Sequence, residues 1–86
     1  MDYSSFQEIA KRATADPASP KCLKFEYTKA NGVQDTYLVE PYKIEGEHFW
    51  GFKLSANSIR CFFISMIDHA SVVEEQTYVP RWPIEI

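Results

Sequence analysis

The sequence predicts a mainly β domain, a small five-stranded barrel with one N-terminal α-helix. Three observations carry this. Aromatic residues make up 15% of the chain, with six Phe, five Tyr and two Trp, and aromatic and β-branched side chains favour strands. From residue 21 onward, short runs alternate apolar and polar residues between turn residues. Helical spacing occurs once, at the start. A chain of 86 residues makes one domain, and at this size only roughly 60% of the unfolded surface is buried. The core is therefore thin.

The helix is expected over about 3–15. Tyr3, Phe6, Ile9, Ala10 and Ala13 recur at three- and four-residue steps and form one apolar stripe. Ser4 or Ser5 can cap its start, and Ser5 with Glu8 has capping-box spacing. Asp16-Pro17-Ala18-Ser19-Pro20 ends it, because proline cannot continue the ladder and disfavours helix at the residue before it.

The barrel is expected over about 21–76. The first strand, about 21–29, sets Leu23, Phe25 and Tyr27 against Lys24, Glu26 and Thr28. Ala30-Asn31-Gly32 then marks a hairpin. A two-residue loop would pair Phe25 with Leu38 and split the apolar side chains between faces. A three-residue loop bulged at Gly32 pairs Phe25 with Tyr37 and Leu23 with Val39 and keeps them together, so the second register is preferred. The second strand runs about 33–42, with a bend at Pro41. After a turn at Gly46, the third strand, 48–54, carries Trp50, Phe52 and Leu54 on one face. A polar turn at 55–58 leads to the fourth strand, 59–65, which is apolar on both faces apart from Arg60. That pattern predicts a central strand covered on both sides. The fifth strand is about 70–76, and a C-terminal tail follows at 77–86. A helix followed by five short strands is the element order of Sm-like and SH3-like small barrels.

Composition excludes several classes. The formal net charge is −3. Residues 1–43 hold six basic and six acidic side chains, and residues 44–86 three and six, so the chain lacks the basic field of a general nucleic-acid binder. No apolar run reaches the ~20 residues of a membrane span, and the first residues lack the apolar core of a signal peptide, so none is expected. Cys22 and Cys61 have neither CxxC spacing nor a companion His for zinc. The expectation is two buried, reduced thiols in a cytoplasmic protein. No metal and no cofactor is expected.

From residue 23 onward the sequence resembles a known family. Leu23-Lys24-Phe25-Glu26-Tyr27, Asn31-Gly32 and Val39-Glu40-Pro41 look like the opening of a WYL domain. His48-Phe49-Trp50-Gly51-Phe52 stands at the place of the family's Trp-Tyr-Leu triplet. Ile59-Arg60-Cys61-Phe62 resembles its R-x-F element, and Ile64-Ser65-Met66-Ile67 the segment after it. The likeness spans about residues 5–79; the order and spacing of its short motifs carry it. It implies an Sm-like barrel, usually attached to a bacterial DNA-binding regulator, that senses nucleic acid or a nucleotide-like ligand through basic and aromatic side chains. Arg60 matches a basic position of the family. Tyr37 and Met66 stand where the family often has Arg.

Arg60 is read either as an anion-binding guanidinium or as one half of a rim salt bridge. Trp50, Phe52 and Tyr37 are read either as a stacking platform or as core. Tyr78, Arg81 and Trp82 belong to a tail that either folds back over the barrel, the favoured reading, or docks on another chain; Arg81 and Trp82 can make a cation–π contact in either case. Lys11, Arg12, Lys21 and Lys24 read as a solvated face with Glu8 and Glu26 nearby. His48, His69 and Asp68 are the only acid/base material, without a nucleophile, phosphate loop or metal cluster beside them, so no enzyme is expected. Two functions follow. One is a non-catalytic regulatory module for nucleic acid or a nucleotide-like ligand, with Arg60, Trp50 and Tyr37 as its site. The other is a protein–protein or self-association module using a barrel edge and Tyr78, Arg81 and Trp82.

Overall fold

The computed structural model describes all 86 residues. Helix α1, Tyr3–Ala13, leads into strands β1 (Lys21–Thr28), β2 (Gln34–Glu45), β3 (His48–Lys53), β4 (Ser58–Phe63) and β5 (Ile67–Thr77). One antiparallel sheet holds all five in the order β4-β3-β2-β1-β5. The sheet curls until Tyr27 on β1 accepts a hydrogen bond from the Phe63 N–H on β4, at 3.1 Å. A short 3-10 turn, Ile64–Met66, links the two edge strands.

Asp2, not Ser4 or Ser5, caps α1: its carboxylate accepts the Ser5 N–H at 2.8 Å. That hydrogen bond to the charged form holds the Asp2 carboxyl below its usual range. The helix ends two residues earlier than expected, where Thr14 turns its hydroxyl back to the Ala10 carbonyl (2.9 Å). Phe6, Ala10 and Ala13 of the stripe are buried.

The first hairpin takes the bulged register. Leu23 pairs with Val39 and Phe25 with Tyr37. Lys29 and Val33 close the loop, and Gly32 sits at φ 85°, where a side chain would be strained. β2 is longer than expected and shifts register between Pro41 and Lys43; Pro41 has no N–H to donate, which favours a bulge there. β1 leaves β2 at Val39, so the next stretch of β2 has a free edge.

Both faces of the sheet are covered. On one, Phe6 of α1 packs on Phe25 and Phe49 (6.4 and 4.8 Å between ring centroids), with Leu23, Val39, Phe62, Ile64 and Ile67 around them. On the other, Cys22, Tyr42 and Phe52 pack under Tyr78 of the tail. Each fully buried large side chain contributes about 1.5–3 kcal/mol. Covering both faces explains why both parities of β3 are apolar: Phe49 faces the helix and Phe52 the tail.

Two expectations are corrected. β4 is an edge strand rather than a central one. Phe62 enters the core, while Ile59 and Phe63, of opposite parity, are 42% and 52% exposed. Its apolar character does not come from burial on both faces. Cys22 is buried, but Cys61, on that edge, is exposed.

Candidate functional site

Arg60 pairs with Gly51 and Lys53 with Ser58 across β3 and β4. Alternation along the strands therefore puts both cations on the face of Phe49 and Phe62, at the barrel rim. Neither makes an ion pair with a carboxylate. Lys53 sets its ammonium 3.8 Å above the Tyr37 ring, within cation–π range. Tyr37 is only 8% exposed and packs on Phe25, Tyr27 and Phe62 at 6.2, 6.1 and 5.9 Å. It is the floor of the rim rather than a free wall. Ser58, opposite Lys53, has a buried hydroxyl without a hydrogen-bond partner. Lys53 was not singled out in the sequence. Its signal was parity with Phe49, masked by the more conspicuous Trp50 and Phe52.

Trp50 does not join Arg60. It pairs with Cys61 and points to the other face. There it lines a cleft of about 470 Å³ with Tyr42, Lys43, Ile59, Trp82, Pro83 and Glu85. The three residues expected to form one site are thus divided: Arg60 and Tyr37 share the rim, and Trp50 stands across the sheet from them.

The tail folds back over the barrel. Tyr78 is buried and donates its hydroxyl to the Pro41 carbonyl at 2.6 Å. The Glu85 N–H donates to the Tyr42 carbonyl (2.6 Å), and the Glu85 carbonyl accepts from the Ile44 N–H (3.4 Å). These bonds use the β2 edge that β1 vacated. Between them lies a buried polar knot. Glu40, the only charged side chain in the interior, accepts from the Tyr42 hydroxyl at 2.7 Å and from Arg81 Nε at 3.1 Å. The Tyr42 oxygen also accepts the Arg81 N–H at 2.9 Å. Burial pushes the Tyr42 phenol up to about 12, raises Tyr78 and pushes the Cys22 thiol up to about 11, with the Glu40 charge adding to it. Burial disfavours the charged form of each.

Arg81 does not lie on Trp82 but stacks over Phe52, 4.0 Å from its centroid. Trp82 remains half-exposed and meets Tyr42 edge-on at 5.2 Å. His48 packs between Trp50 and Phe63. His69 lies on β5 in a left-handed conformation with Nε2 3.7 Å from Glu26. Asp68 faces the terminal amine at 3.9 Å. These three side chains do not converge. No group of three or more His, Cys, Asp or Glu is placed to hold a metal ion, and no helix is long and apolar enough to cross a membrane.

No family model matches the sequence, and no curated protein matches it. Among solved structures, the fold is similar to part of proteasome accessory factor B/C (PafBC) of Arthrobacter aurescens. The TM-score is 0.73 at 17% sequence identity, and the match covers 91% of this chain and 12% of that one. The likeness shows a shared fold, and this chain spans only a small part of that protein's length.

Proposed function

We propose that the chain is a WYL-type, non-catalytic regulatory domain of the cytoplasm that binds an anionic ligand, a nucleotide or a nucleic-acid backbone, at the rim formed by Arg60, Lys53 and Tyr37. The observation that carries it is the pair of cations on neighbouring strands with no carboxylate partner. An exposed guanidinium can grip phosphate with two parallel hydrogen bonds, and an ammonium beside it adds a second, less directional charge. The motif order around Arg60 and the fold shared with part of PafBC support the WYL assignment. The expected result is that Arg60→Ala loses binding of a short single-stranded oligonucleotide at low salt while its amide spectrum stays dispersed. Unchanged affinity in the folded variant would sink this reading.

A second reading rests on β4. Its outer edge pairs with no strand and meets β1 only through the Phe63 N–H on Tyr27, and Ile59, Phe63 and Met66 are exposed along or just after it. Such an edge invites a further strand, and self-association through it would bury these side chains. Under that reading Phe63→Lys lowers the mass in solution. A wild-type chain that is monomeric at high concentration excludes it. Tyr78, Arg81 and Trp82 enter a partner surface only as the docked tail, and deletion of 80–86 would change the oligomeric state by uncovering Phe52 and Tyr42.

A further inference from the structure

The cleft on the face opposite Arg60 has a chemistry of its own. Its walls are the two tryptophans of the chain, Trp50 from β3 and Trp82 from the tail. The rings do not touch each other: Trp50 contacts His48, and Trp82 contacts Tyr42 and Phe52. Flat aromatic surfaces thus border a cleft of about 470 Å³. Indole faces carry negative potential and attract cations.

The charges agree with the rings. Lys43 places its ammonium 5.6 Å from the Trp50 centroid. It is held there by Glu45 at 3.1 Å and Glu85 at 3.9 Å, of which Glu45 does most to raise its pKa. One wall therefore already carries a cation from the chain itself. Glu45 neutralises Lys43 from outside the lining, which leaves Glu85 as the unbalanced charge of the cleft. The Trp82 ring itself carries no cation: Lys53 sits on Tyr37, and Arg81 sits on Phe52, the ring next to Trp82 (6.1 Å), with its charge taken up by Glu40 at 3.1 Å. Glu85 lines the cleft beside Trp82, and its closest cation stays at 3.9 Å.

We infer that this cleft is a second binding site, separate from the Arg60 rim, and that it takes the guanidinium of an arginine in a peptide segment of a protein partner. A planar guanidinium can lie flat on Trp82 while its N–H fork meets the Glu85 carboxylate. A lysine ammonium lacks that plane. A nucleotide could stack a base here, but its phosphates would meet the Glu85 carboxylate, and the Lys43 ammonium is already paired with Glu45 and Glu85.

The test uses the full chain with three blocked tripeptides, Gly-Arg-Gly, Gly-Lys-Gly and Gly-citrulline-Gly, and with adenosine, and the two indole N–H resonances are the probes. Citrulline keeps the plane and size of arginine and removes the charge. Gly-Arg-Gly should shift the Trp82 indole and Glu85 amide saturably, Gly-Lys-Gly more weakly and citrulline not at all. Glu85→Gln should weaken arginine binding about two- to fivefold, the scale of one exposed ion pair, and it leaves the tail's backbone bonds in place. Trp82→Leu should abolish it, with Tyr78 shifts reporting that the tail stays docked. Equal binding of citrulline overturns the inference, as does adenosine binding in place of arginine. Unshifted indole signals with all three peptides at millimolar concentration also overturn it.

Discussion

Tyr42→Phe removes one oxygen from the polar knot and leaves the ring where it packs against Tyr78 and Trp82 (5.6 and 5.2 Å). No cavity of consequence opens, so the effect isolates the hydrogen bonds. That oxygen donates to Glu40 at 2.7 Å and accepts the Arg81 N–H at 2.9 Å. A hydrogen bond to a charged group contributes about 1.5–3 kcal/mol. The Arg81 amide is part-buried and can recover a water, so its loss adds less. Arg81 Nε, at 3.1 Å, still compensates the Glu40 charge and keeps the total below the ~3–5 kcal/mol of an uncompensated buried ion. The expected loss is therefore about 2–3 kcal/mol. For a domain of this size that lowers Tm by roughly 10 °C or more. Urea unfolding followed by tryptophan fluorescence and by circular dichroism measures it. A loss below about 0.5 kcal/mol would mean that the tail is not held by this knot.

Three further outcomes follow from the packing. Alkaline pH should destabilise the fold, because Cys22, Tyr42 and Tyr78 all have raised native pKa values. Between pH 9 and about 12 the unfolded chain loses these protons first and binds fewer than the native state, so stability falls with rising pH; it should be fully present below pH 9, and a flat denaturant midpoint over that range would refute the assignment. Gly51→Ala should cost about 1–3 kcal/mol, since a Cβ there meets the Phe49 ring at 3.0 Å and the Glu40 carbonyl at 3.3 Å; a neutral thermal melt would show that Phe49 has room to move. Lys53→Ala should weaken oligonucleotide binding and reduce the slope of log K against log salt by up to about one; an unchanged slope would remove Lys53 from the rim.

The sequence made some of this legible and hid the rest for definite reasons. The β1–β2 register could be read because only one loop keeps Leu23, Phe25, Tyr37 and Val39 on one face, and Gly32 suits the bulge it needs. The stripe of α1 could be read because 3.6-residue spacing is local. The place of β4 could not. Ile59-Arg60-Cys61-Phe62-Phe63 is apolar on both parities, a pattern that fits either a central strand or an edge strand with an exposed apolar face, and strand order is decided by pairings far apart in sequence. The division of Trp50 from Arg60 follows from β3–β4 pairing, which places Gly51 rather than Trp50 opposite Arg60. Glu40 gave no sign of burial, because its partners are its strand neighbour Tyr42 and a tail residue forty-one positions away.

The proposed anion site at the rim is tested most directly by an amide and side-chain chemical-shift titration of the labelled chain with a short mixed-sequence single-stranded oligonucleotide, at low and then moderate salt. Phosphate contacts are strongest at low salt. The rim predicts salt-sensitive shifts at Arg60, Lys53 and Ser58, next to Tyr37, with the Trp50 and Trp82 indoles unmoved. Absence of shifts at low salt, or shifts confined to the two tryptophans, would contradict it.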